Sequence, residues 1–93
     1  MSIHSTRYRI PDDILFQELS GEAVLLNLSS GQYYSLDDIG TRMWSLLAKH
    51  AEIEPVISAL LLEYEVAESQ LRTDLDKLIT EFTNQGLLTR DET

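Results

Sequence analysis

With no cysteine among its 93 residues this chain has no thiol nucleophile and no zinc-thiolate site, and a metal site would have to rest on its two histidines and its carboxylates. His4 lies in the N-terminal stretch and His50 at the end of a helical pattern. Neither has a second histidine or a carboxylate at ligand spacing on its own element, so the sequence predicts no metal site. Asp37 and Asp38 are adjacent carboxylates, but at the start of a helix they are explained by capping and by the positive end of the helix dipole. The four glycines form no phosphate-cradling cluster. No nucleophile, base and metal can be assembled from what remains, so no cofactor is expected and a small hydrolase or isomerase is the least favoured reading.

Composition narrows the classes further. Sixteen acidic against seven basic residues give a formal charge of -9, a field that repels phosphate backbones and anionic lipid. With 43% hydrophobic and 25% charged residues the chain falls in the globular range, and its length suits one core without a deep catalytic cavity. The absence of cysteine, of a signal-peptide pattern and of a roughly twenty-residue apolar run leads to the expectation of a cytoplasmic protein.

The elements follow from periodicity and punctuation. Pro11-Asp12-Asp13 is turn chemistry and closes an N-terminal arm over residues 1–13. Ile14–Leu19 and Ala23–Leu28 read as two strands joined by a tight turn at Ser20-Gly21-Glu22. In the second of them Val24, Leu26 and Leu28 share a face at period two, and that face is expected to meet the core. Ser29-Ser30-Gly31 turns the chain into a third strand, Gln32–Leu36, which completes a three-stranded antiparallel meander. Asp37 is placed to cap a first helix over about 38–50, with Ile39, Met43, Leu46 and Leu47 in its apolar stripe and Trp44 at the margin. Pro55 fits only the first turn of a second helix that begins near Ile53. A third helix runs over about 68–84, with Leu71, Leu75, Leu78, Ile79 and Phe82 as its stripe and Gly86 as its stop; Leu87-Leu88 then tucks onto the core.

The run from Gly31 to Leu47, GQYYSLDDIGTRMWSLL, is the most informative stretch. An aromatic-x-leucine step that ends a strand (Tyr34, Leu36), a cap (Asp37), a glycine near the helix start (Gly40) and a hydrophobe-tryptophan pair (Met43, Trp44) resemble the PqqD-like family, the recognition elements of ribosomally made, modified peptides. Asp74, Leu75, Leu78-Ile79 and Gly86-Leu87-Leu88 continue the resemblance, which spans residues 14–88 and leaves 89–93 as a C-terminal tail. Glu52 and Ala67 depart from it, standing where threonine or aspartate commonly caps the second and third helices.

The resemblance implies an α+β fold, a winged helix-turn-helix-like domain whose three-stranded antiparallel sheet is followed by three helices. It implies a peptide chaperone without catalysis that binds the leader of a precursor peptide as an added strand beside the third strand and against the third helix. The site residues it implies are Gln32, Tyr33, Tyr34, Ser35 and Leu36 on the strand, and Leu71, Asp74, Leu75, Leu78 and Phe82 on the helix, at least half of these helical apolar residues being core. Implied partners are the leader itself and a leader peptidase, cyclase or radical modifying enzyme of the same gene cluster, and the short free-standing form is most like the members found in lasso-peptide clusters. The protein is expected to be a monomer or a strand-paired dimer. The alternative is a winged-helix DNA-binding regulator, which the net acidic third helix opposes, since Arg72 and Lys77 face Glu68, Asp74, Asp76 and Glu81.

Overall fold

The computed structural model describes residues 6–91, so His4 lies outside the described residues. Eight elements follow in order: β1 (Tyr8–Arg9), β2 (Ile14–Leu19), β3 (Glu22–Asn27), β4 (Tyr33–Leu36), α1 (Asp38–His50), α2 (Ile53–Glu63), α3 (Glu68–Asn84) and β5 (Thr89–Arg90). The expected α+β architecture is present, with β2, β3 and β4 in one antiparallel sheet, in that order, ahead of three helices. Residues of the arm and the tail add a second sheet that the sequence did not suggest: β1 pairs antiparallel with β5, Tyr8 opposite Arg90 and Arg9 opposite Thr89.

Local chemistry sets the boundaries. Ser20 and Gly21 both have positive φ, 56° and 84°, the twist that a two-residue hairpin turn needs to match its strands. Asp37 caps α1, its carboxylate accepting from the Gly40 amide at 2.8 Å. Asp37→Ala should therefore lower stability by about 1 kcal/mol, read as a shifted denaturant midpoint with unchanged slope. Gly86 ends α3 in the left-handed region, at φ 73°, and the Leu87 amide returns to the Phe82 carbonyl at 2.8 Å, turning Leu87 and Leu88 into the core.

Neither Glu52 nor Ala67 makes a side-chain cap for α2 or α3. Arg72 ties these two helix starts together instead, donating to Glu54 of α2 at 2.7 and 2.8 Å and to Glu68 of α3 at 2.9 Å. Those bonds raise the Arg72 guanidinium further above its ordinary value and lower the Glu54 carboxyl.

One sequence expectation is corrected. The core face of β3 is the odd one, with Ala23 and Leu25 buried, while Val24 is 41% exposed and Leu28, just past the strand, 56% exposed. Both parities of this segment are apolar, so alternation alone did not separate them; α1 packs across β3 on the Ala23–Leu25 side, where the alanine admits a close helix. The core then runs from Leu25 and Leu36 through Met43, Trp44, Leu46 and Leu47 to Val56, Ile57 and Leu60, and on to Leu71, Leu75, Ile79 and Phe82. Trp44, expected at the margin of its helix, is fully inside, edge-to-face with Phe82 at 5.0 Å between ring centroids.

Candidate peptide-binding edge and groove

Strand register fixes which backbone groups are free. Leu19 and Glu22 flank the two-residue turn and form a hydrogen-bonded pair, so Glu22, Val24 and Leu26 address β2, and Ala23, Leu25 and Asn27 address β4. The Asn27 amide accordingly donates to the Gln32 carbonyl at 2.9 Å. Leu25 faces Tyr34 and Ala23 faces Leu36, which leaves the amides and carbonyls of Tyr33 and Ser35 pointing away from the sheet. Because β4 is an edge strand, nothing pairs with these four groups among the described residues. The side chains alternate the other way across the sheet plane: Tyr33 is 73% exposed on the outer face, while Tyr34 and Leu36 turn inward.

Past the end of β4 lies an open groove of about 330 Å³, walled by the start of α1 and by α3. Ile39, Gly40 and Met43 form one wall, and Asp74, Lys77, Leu78 and Glu81 the other, with Asp37 at the junction. Gly40 has a steric reason, since a Cβ there would stand 3.0 Å from the Asp37 carboxylate that caps the helix. Three carboxylates and one ammonium give the rim an acidic balance. Asp74 accepts from Gln70 at 2.9 Å, and Glu81 accepts from the Tyr34 hydroxyl at 3.0 Å. Burial, and then the bond to Glu81, hold the Tyr34 phenol above its usual range.

The residues expected at the site divide cleanly. Gln32, Tyr33 and Ser35 are exposed at the strand edge, Tyr34 is half-buried and Leu36 buried. Asp74 and Leu78 line the groove. Leu71, Leu75 and Phe82 do not reach it: each is at most 1% exposed, and they form the packing behind α3, because a stripe at spacing 71, 75, 79, 82 faces the centre of the core. Lys77, Glu81 and the α1 wall were not anticipated. The neighbouring stripe 74, 77, 78 and 81 was legible at helical spacing, but it mixes charges with one leucine and so carries no apolar signal.

Among the described residues no group of three or more metal-ligating side chains occurs, and no helix is long and apolar enough to cross a membrane. For the DNA-binding alternative, Arg72 is engaged by two glutamates and Lys77 sits in the acidic groove, so α3 presents no basic face.

β4, one of the two edges of the meander, leads to a helix-walled groove, an arrangement to which an extended peptide can add as a strand. The family model for coenzyme PQQ synthesis protein D (PqqD) matches residues 22–88, and this chain belongs to the PqqD family. Two solved structures are similar to it. One, TbiB1 in complex with the TbiA(beta) leader peptide, has 32% sequence identity and a TM-score of 0.84 over 91% of this chain and 99% of that one. The other, lasso peptide synthetase B1 complexed with the leader peptide, has 25% identity and a TM-score of 0.80 over 89% of this chain and 98% of that one. None of the curated proteins matches the chain.

Proposed function

We propose that this protein binds the leader of a ribosomally made precursor peptide as an additional strand on β4 and presents it to a modifying enzyme or leader peptidase, without catalysing a step itself. The observation that carries this reading is the free backbone of Tyr33 and Ser35 beside the α1–α3 groove. An added strand satisfies those amides and carbonyls, and its alternate side chains enter the groove, so the backbone gives affinity and the groove gives selectivity. The similarity to two leader-peptide complexes supports the same role, and the description of one of them as a lasso peptide synthetase B1 favours a lasso-type precursor.

Within residues 14–88, the proposed recognition unit, Gln32–Leu36 offer the strand, Asp74 and Leu78 touch the leader, and Leu71, Leu75 and Phe82 hold α3 in place from behind. The test is a titration with the synthetic leader of a short precursor reading frame sought beside this chain's gene, followed by amide exchange. Tyr33 and Ser35 should gain protection, whereas Tyr34 and Leu36, already bonded to β3, should change little. Absence of binding at micromolar leader, or equal gains at all four amides, would overturn the strand-addition reading.

A further inference from the structure

We propose that Glu81 is a positioning residue for leader recognition: with the Tyr34 hydroxyl it forms a strap that fixes the distance between β4 and α3 before any peptide arrives. This inference rests on the leader-binding reading and assigns the preorganisation of that same cleft. Across it, Tyr34 makes two side-chain links. Its ring meets Phe82 edge-to-face at 5.9 Å, and its hydroxyl donates to Glu81 Oε1 at 3.0 Å. Phe82 is itself anchored on Trp44, so the ring contact leads straight into the core. The hydroxyl link is different in kind, because it ends on an exposed residue of α3 that also walls the groove. The ring holds the strand down, and the hydroxyl sets how far α3 stands from it.

The strap leaves the binding groups free. Tyr34 points inward, while the unpaired backbone of Tyr33 and Ser35 points along the sheet, so a leader strand can add without breaking the bond. A cleft held at working width spares the leader the cost of ordering it, which appears as tighter binding without any new contact.

The experiment compares Tyr34→Phe, Glu81→Ala, the double variant and Glu81→Gln in the intact chain. Without peptide, NMR relaxation dispersion should reveal new motion confined to β4 and the groove residues Ile39, Met43 and Leu78 in the first three proteins. It should be equal in the singles and the double, because all of them lack one shared bond. Glu81→Gln keeps an acceptor and should behave like the parent, and melting temperatures should stay close to it throughout. With the same synthetic leader, affinity should fall about three- to ten-fold in the same three variants and recover in Glu81→Gln, the span of one accessible hydrogen bond. Additive losses, no new motion, or failure of Glu81→Gln to restore the parent would overturn the strap. Protection at Tyr33 and Ser35 in the parent protein reports on leader addition separately, so the two ideas fail by different measurements.

Discussion

Replacing Phe82 by alanine should lower stability by about 3–5 kcal/mol, a large part of the 5–15 kcal/mol typical of a folded domain. Phe82 is fully buried and carries both aromatic contacts, to Trp44 and to Tyr34, so truncation empties the junction between α1, α3 and β4 together. For a domain of this size the melting temperature should drop by more than ten degrees. Circular dichroism and Trp44 emission should follow the same transition, since the lone tryptophan lines the vacated space. Val24→Ser, on the exposed face of β3, should cost about 1 kcal/mol or less. If both variants cost the same, the assignment of the odd face of β3 to the core is wrong.

The second large effect concerns the leader's backbone. A proline at a leader position whose amide addresses Tyr33 or Ser35 should reduce affinity by about ten- to a hundred-fold, because it deletes a ladder bond and its ring obstructs the register. The same proline one residue along, with its replaced amide turned to solvent, should be tolerated. Isothermal titration over a short series of prolines would show losses at every second position. A uniform loss, or none, would mean that side chains alone hold the peptide.

Much of this was readable from the sequence because punctuation residues have one physical meaning each. Asp37 before an apolar stripe and Pro55 in a first turn mark the starts of α1 and α2, and Gly86 marks the end of α3. The face of β3 was not readable, since Ala23 and Leu25 compete with Val24, Leu26 and Leu28 and only the packed helix decides. The β1–β5 pair escaped because two-residue strands have no period to detect. At the site, the strand edge was legible and the groove only half so: Asp74 and Leu78 lie in it, but Leu71, Leu75 and Phe82 were too apolar to remain at a surface. Glu81 became visible only through its partner, 47 residues away.

The small sheet of β1 and β5 has a consequence for protein engineering. With Tyr8 opposite Arg90, the two ends of the packed chain leave the molecule side by side. A linker of a few residues could close them into a ring, and new termini opened at the exposed Ser29–Ser30 turn would leave every strand and helix whole. Such a circular permutant would begin close to β4, so a precursor peptide fused there would start beside the edge it is proposed to join, at a local concentration set by the tether and not by the solution.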